Sequence, residues 1–140
     1  MIDIKLKNEL NENDYKFIGE GFEEYARDNG IKCGYTPFSF VAEEDGKIVG
    51  MITGNTYYKE VHIGDLYVLK DKRNKHIGTS LIKAVEEHFK NSEFENINLS
   101  TYDFQAPEFY KRCGFKIEYV RKCESEPKLN KYYMSKNIDK

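Results

Sequence analysis

The chain has 140 residues, 39% of them hydrophobic and 33% charged, which suits a folded domain with a buried core. Its 22 basic and 24 acidic residues leave a formal net charge of −2, which argues against nucleic acid as a partner. No apolar run approaches the length of a membrane span, and the first ten residues lack a signal-peptide core. We therefore expect a cytoplasmic protein without a membrane partner, built as a single domain over residues 1–140.

The cysteines and histidines give no sign of a metal centre. Cys33, Cys113 and Cys123 are odd in number, widely spaced and without a CxxC pair. A disulfide framework or a zinc site would need paired, closely spaced ligands. The three histidines form no short-spaced ligand pair either. We expect reduced thiols and no metal.

The first quarter of the chain predicts a strand and a helix. Residues 2–7 alternate between polar and apolar side chains, which is typical of a short strand. From Asn11 to Arg27, apolar side chains recur at helical spacing. Gly30 follows an Asp-Asn pair and suits the position just past a helix end.

A β-hairpin and a further strand follow. Two alternating segments flank Asp45-Gly46, a dipeptide that tolerates the positive φ angles of a tight turn. A third strand is predicted from Val61 to Leu69. The first half of the chain thus combines a helix with an antiparallel meander.

The second half predicts helices alternating with strands. Residues 76–90 carry an apolar stripe with a four-residue repeat, and residues 96–101 alternate as a strand. A short helix should begin near Pro107 and end near Gly114. Two final strands are expected at 115–122 and 132–136. The predicted fold is α/β of the α+β type, with a mixed, mostly antiparallel central sheet of six to seven strands and flanking helices.

The segment from Leu66 to Leu81, LYVLKDKRNKHIGTSL, has the features of an anion site. A buried strand ends, four basic residues follow, and Gly78-Thr79 opens an amphipathic helix. The first N–H groups of a helix lack internal acceptors and carry partial positive charge, which suits a diphosphate. The GxxxxGK(S/T) pattern of a Walker loop and the GxGxxG pattern of a dinucleotide-binding fingerprint are absent. A solvated basic loop before an ordinary helix is the alternative interpretation.

A second informative segment is APEFYKRCGF at residues 106–115. It places Tyr110 on a short helix after a strand, near the expected edge of the sheet. A phenol with an ordinary pKa near 10 is protonated at neutral pH and can protonate a departing thiolate. The alternative is that Phe109, Tyr110 and Cys113 only pack in the core.

Together these segments resemble the GNAT superfamily of acyl-CoA N-acyltransferases, over nearly the whole chain in element order and most strongly over residues 61–115. The family's phosphate loop reads Gln or Arg, two residues, Gly, one residue, then Gly or Ala. Here the loop is Arg73, Asn74, Lys75, His76, Ile77 and Gly78, with His76 in place of the first glycine. A later family pattern is matched by Ala106, Phe109, Tyr110, Gly114 and Phe115. Asp103 stands where members often carry Asn.

The resemblance implies transfer of the acetyl group of acetyl-CoA to a primary amine by direct attack in a ternary complex. It implies that the strand residues Leu66, Tyr67 and Val68 pair with the pantetheine arm and that the Val68 N–H polarises the thioester carbonyl. The remaining cofactor contacts would come from Arg73, Asn74, Lys75, His76, Ile77, Gly78, Thr79, Asp103, Ala106 and Phe109.

The resemblance also suggests catalytic roles. Tyr110 would be the acid, and Asp65 is the first candidate for the base, followed by His62 and Glu60. Attack by the small neutral fraction of the amine would need no base at all.

Three functions compete at this stage. The first is the acetyltransferase, the second a non-catalytic GNAT-like sensor that binds acyl-CoA, and the third an interaction protein without a coenzyme site. The acceptor stays open between a small metabolite, an antibiotic, a polyamine and a protein N-terminus or lysine. Exposed terminal strands could support a homodimer.

Overall fold

The computed structural model describes all 140 residues. Contacts divide the chain into two compact units, residues 1–34 and 35–140. The first contains helix α1 (Glu12–Asp28). The second contains, in order, β1 (Thr36–Glu44), β2 (Lys47–Tyr57), β3 (Glu60–Val68), α2 (Ile77–Phe89), β4 (Asn96–Tyr102), α3 (Pro107–Arg112), β5 (Lys116–Arg121) and β6 (Lys131–Asn137), with short 3-10 turns at Lys70–Lys72 and Pro127–Leu129. The single domain expected for residues 1–140 stays a prediction.

Both ends of α1 are set by local hydrogen bonds. Asn11 and Asp14 form a reciprocal capping box, in which each side chain accepts from the other residue's backbone N–H. At the other end Gly30 has φ of 71° and donates to the Arg27 carbonyl, while Ile31 donates to that of Ala26. This is the Schellman arrangement, and it confirms the predicted helix and its glycine stop.

The strand predicted for residues 2–7 is wrong, because that segment has no regular secondary structure. Alternation by itself does not stabilise a strand, which needs a hydrogen-bonded neighbour. Lys7 instead forms an ion pair with Asp14 at the start of α1, with Nζ and Oδ2 2.6 Å apart.

In the second unit, six strands form one sheet in the order β1-β2-β3-β4-β6-β5. Only β3 and β4 run parallel, and every other neighbouring pair is antiparallel. The mixed, mostly antiparallel sheet is therefore confirmed with six strands. The hairpin between β1 and β2 turns at Asp45 and Gly46, both with positive φ (51° and 78°), as their sequence predicts.

The core of this unit lies where α2 packs on β1, β2 and β3. The helix buries the stripe Leu81, Ile82, Val85 and Phe89 against the buried strand residues Ile52, Val61, Ile63, Ile97, Leu99 and Met134. Burial of this apolar surface is the main stabilising term for the unit. None of the helices combines the length and apolarity needed to span a bilayer.

The feature that positions the site is the short pairing of β3 with β4. Their ladder covers only Glu60–His62 against Asn96–Asn98. Immediately after it, β3 bulges at Gly64, since Thr53 pairs with Asp65 and Gly54 with Ile63. A bulge bends its strand. Beyond it, β3 and β4 share no ladder, and each keeps an edge without a strand partner.

Candidate functional site

A cleft of about 610 Å³ opens between the C-terminal half of β3, the start of α2 and helix α3. It brings together most of the predicted site residues: Leu66, Val68, Arg73, Asn74, His76, Ile77, Gly78, Thr79, Ala106, Phe109 and Tyr110. Residues that lie far apart in sequence therefore line one cavity. The neighbouring residues Lys72, Gln105, Arg112 and Cys113 complete the wall.

Four predicted site residues do not line this cleft: Asp65, Tyr67, Lys75 and Asp103. The exposed Tyr67 ring lies under the Arg73 guanidinium, 5.5 Å from it. Asp103 lines an adjoining pocket of about 430 Å³ along α3, and its carboxylate accepts a 3.0 Å hydrogen bond from the Tyr132 hydroxyl. This hydrogen bond raises the pKa of Tyr132.

The start of α2 presents unsatisfied donors to the cleft. The first helical bond runs from the Ser80 N–H to the His76 carbonyl at 3.0 Å, so the N–H groups of Ile77, Gly78 and Thr79 have no acceptor within the helix. No side chain caps them, and the first turn has no acidic residue. Three donors without helical acceptors, at the positive end of the helix dipole, are an arrangement that suits an anion.

The loop before α2 reaches this geometry through two left-handed residues. Asn74 has φ of 64° and His76 has φ of 63°. Residues other than glycine adopt this region at an energetic cost, least for Asn. The conformation explains why the family pattern has glycine at the position of His76, which here keeps the backbone shape without glycine.

Basic residues of the loop are anchored to the sheet. Arg73 Nε donates to the Val68 carbonyl at 3.0 Å. Lys72 Nζ lies 2.6 Å from the Glu44 carboxylate, and this pair raises the pKa of Lys72 and lowers that of Glu44. These contacts fix the loop relative to β1 and the end of β3.

The free edge of β3 supplies backbone groups to the cleft. The Leu69 N–H donates to the Val49 carbonyl on β2 at 2.9 Å. Since backbone groups alternate in direction along a strand, the N–H groups of Leu66 and Val68 point the opposite way, toward the open edge. Their side chains line the cleft, whereas that of Tyr67 does not.

Tyr110 is the buried titratable group of the cleft. It is 7% exposed, and its ring packs edge-on against Phe109 and Phe115, with centroids 5.1 and 5.8 Å away. Burial, with a smaller contribution from Cys113, raises the pKa of Tyr110 to about 12. The phenol is therefore a proton donor at any physiological pH.

Four residues of the lining were not predicted as site residues. Lys72 was expected only as one of the basic residues before α2 and Cys113 only as a packing residue, while Gln105 and Arg112 carried no prediction. Their positions in the sequence could have indicated them. Gln105 lies just before α3, and Arg112 and Cys113 lie within about one helical turn of Phe109. Burial raises the pKa of the Cys113 thiol.

Comparison with known proteins identifies the family of the chain. The sequence profile described as the acetyltransferase (GNAT) family matches residues 5–115. The chain belongs to the GNAT acetyltransferase family.

It is 34% identical over 80 residues to an uncharacterized N-acetyltransferase of Methanocaldococcus jannaschii, covering 55% of this chain and 51% of that protein. It is 31% identical over 81 residues to blasticidin-S acetyltransferase of Streptomyces morookaense, covering 56% and 59%. The matched region thus spans little more than half the length of these GNAT relatives.

Solved structures show the same GNAT fold. An acetyltransferase from Bacillus cereus superposes with a TM-score of 0.76 at 25% identity, covering 96% of this chain and 98% of that one. An aminoglycoside 6′-N-acetyltransferase complexed with coenzyme A superposes with a TM-score of 0.65 at 21% identity, covering 74% of each chain. The six-stranded sheet is thus a GNAT sheet.

Proposed function

We propose that this protein transfers the acetyl group of acetyl-CoA to a primary amine. The observation that carries the proposal is the start of α2, where three backbone donors without acceptors face a cleft walled by the free edge of β3. Few ligands need both a diphosphate cradle and an extended strand edge, and coenzyme A is one of them.

The residues present fit acetyl-CoA as a substrate. Its diphosphate would accept hydrogen bonds from the N–H groups of Ile77, Gly78 and Thr79, with positive charge nearby from Arg112. The pantetheine amides would pair with the outward backbone groups of Leu66 and Val68, as an added strand does. Asn74, Lys75, His76, Ala106, Phe109 and Asp103 remain the proposed surrounding contacts.

The proposed reaction is a direct transfer. The amine nitrogen attacks the thioester carbonyl, a C–N bond forms and the C–S bond breaks. The start of α2 lies beside Val68, at the end of β3 away from the bulge, so an arm that leaves the diphosphate there would pass Val68 and end at Leu66. The outward N–H of Leu66, rather than the Val68 N–H expected from the sequence, then stabilises the oxyanion, and Tyr110 gives its proton to the departing thiolate. The raised pKa of Tyr110 keeps the phenol protonated before the reaction. Asp65 remains the sequence-based candidate for the base.

The acceptor is proposed to be a small-molecule amine. Blasticidin-S acetyltransferase and aminoglycoside 6′-N-acetyltransferase are named for small molecules, which supports this class over a protein amine. The open edges of β1 and β5 leave room for the predicted homodimer, which sedimentation velocity would detect as a doubled mass.

The test is release of free thiol from acetyl-CoA by the purified protein with a panel of amines: aminoglycosides, nucleoside antibiotics, polyamines and lysine peptides. The proposal expects amine-dependent thiol release and a product heavier by one acetyl group. Saturable acetyl-CoA binding without turnover on any amine would favour the sensor function. That alternative is kept because His76 and Asp103 differ from the residues that the family usually has at these positions.

A further inference from the structure

Three polar side chains form a hydrogen-bonded chain where β3 and β4 last pair. The Asn98 amide nitrogen donates to the Glu60 carboxylate at 2.9 Å and to the Asn96 side-chain oxygen at 3.0 Å. The Asn98 side-chain oxygen lies 2.8 Å from His62 Nδ1. His62 pairs with Asn98 in the ladder and is its last residue on β3, so the chain sits at the narrow end of the opening between the strands.

This arrangement fixes the His62 tautomer. An ionised carboxylate only accepts hydrogen bonds, so the Asn98 group that faces Glu60 must be the NH2 group. The oxygen of the same amide therefore faces His62 and can only accept. Nδ1 must then carry the hydrogen, and in the neutral ring Nε2 is left with a free lone pair.

The free nitrogen belongs to a side chain on the face of the sheet opposite α2. His62 is exposed, while its neighbours Val61 and Ile63 are buried in the core beneath α2, so its side chain projects from the opposite face. Along β3, His62 precedes Leu66 by four residues, ~13 Å at the usual rise per residue and less across the bulge. In the proposed complex, the acceptor amine and a bridging water would occupy this span.

We propose that His62 is the general base of the transfer and that Asn98, held by Glu60, is its positioning residue. The inference rests on the proposed function. As the amine nitrogen bonds to the carbonyl carbon, its excess proton passes through water to His62 Nε2, and the thiolate takes the Tyr110 proton. The products are the N-acetylated amine and free coenzyme A. Solvent then returns the proton from His62 to Tyr110.

Two observations favour His62 over the carboxylates beside it. Glu60 already accepts from Asn98, whereas Asp65 makes no side-chain hydrogen bond or ion pair that would orient it. Imidazole as a functional group is also a stronger base than a carboxylate.

The tautomer of His62 can be determined without an activity assay. Nitrogen NMR of protein labelled with 15N-histidine has signals from His62, His76 and His88 only, and His62→Gln assigns the first. At alkaline pH, where imidazole is neutral, the His62 signals should show a protonated Nδ1 and an unprotonated Nε2. In Asn98→Leu this preference should be lost. A His62 ring protonated at Nε2 in the wild type would overturn the inference.

The kinetic test compares His62→Gln with His88→Gln, a matched change at an exposed histidine on the last turn of α2. His62→Gln should lower kcat about 100-fold or more, with acetyl-CoA affinity unchanged. His88→Gln should behave as wild type. Asn98→Leu should lower kcat less and leave the KM for acetyl-CoA unchanged.

The outcomes separate the two proposals. If the wild type turns over and His62→Gln is equally active, His62 is not the base, but the proposed transferase activity is retained. Lack of wild-type turnover with every amine overturns the transferase, and the role of His62 falls with it.

Discussion

The Phe109 ring packs directly over Gly78, so that a Cβ on residue 78 would lie 3.1 Å from Phe109 Cζ and 3.4 Å from Cε1. The glycine therefore allows the start of α2 to approach α3 closely, besides leaving its N–H group open. Because Phe109 and Tyr110 are consecutive on α3, this contact also fixes the proposed acid relative to the anion site.

Replacing Tyr110 with Phe removes the proposed proton donor while keeping the ring that packs against Phe115. We expect kcat to fall about 100-fold, since a general acid contributes roughly this factor or more. The dissociation constant of acetyl-CoA should stay within about twofold. Steady-state kinetics at saturating amine, with calorimetry for binding, gives both numbers. Unchanged turnover with chemistry rate-limiting would remove Tyr110 from the acid role.

The stability of the protein should depend on the Tyr110 proton at alkaline pH. Its pKa is raised to about 12, so the folded chain holds the proton more tightly than the unfolded chain. Stability is then complete below pH ~10 and is lost as pH rises toward 12. At pH 11 the lost free energy is about 1.4 kcal/mol. Urea unfolding at pH 9 and 11 should show a loss larger by this amount in wild type than in Tyr110→Phe; equal losses would contradict the burial of the phenol.

Gly54 is required by the sheet. A Cβ there would lie 2.2 Å from the His62 carbonyl oxygen and 2.6 Å from the Phe38 ring, so backbone must move. Gly54→Ala should lower the free energy of unfolding by about 3 kcal/mol. Gly64→Ala is the matched control, because its Cβ meets nothing closer than Thr53 Oγ1 at 3.5 Å. Similar urea midpoints for the two variants would contradict the register next to the bulge.

The left-handed conformation of His76 predicts a difference between two variants that both lack the imidazole. His76→Gly should be more stable than His76→Ala by about 1 kcal/mol, because glycine adopts a positive φ without steric cost. Both should bind coenzyme A alike, since the proposed phosphate contact uses backbone. Thermal unfolding and calorimetry measure these quantities. An alanine variant as stable as the glycine variant would mean that residue 76 does not hold this φ.

Local chemistry made much of the fold predictable. Asp45-Gly46 specifies its hairpin, and Pro107 and Gly114 bracket α3, because each position requires the backbone freedom or restriction of that residue. Residue type and spacing also singled out the loop before α2 and Tyr110, which the structure brings to one cleft.

What the sequence did not reveal depends on distant contacts. The backbone groups of Tyr67 face β2 and not the cleft because the Leu69 N–H bonds to the Val49 carbonyl. The need for glycine at position 78 comes from the Phe109 ring that packs over it. The bulge at Gly64 ends the β3–β4 ladder and depends on register with β2. The strand expected at residues 2–7 does not form, because alternation of polar and apolar side chains does not supply a neighbouring strand to pair with.

Calorimetric titration with coenzyme A and acetyl-CoA tests the central claim most directly. Wild type should bind either ligand at one site. Gly78→Asp should bind at least tenfold more weakly, because the new carboxylate crowds and repels the diphosphate. Asn91→Asp adds the same charge at an exposed position just beyond the other end of α2 and should bind like wild type. No binding heat with folded wild type, or equal affinity in folded Gly78→Asp, would contradict the placement of the diphosphate at the start of α2.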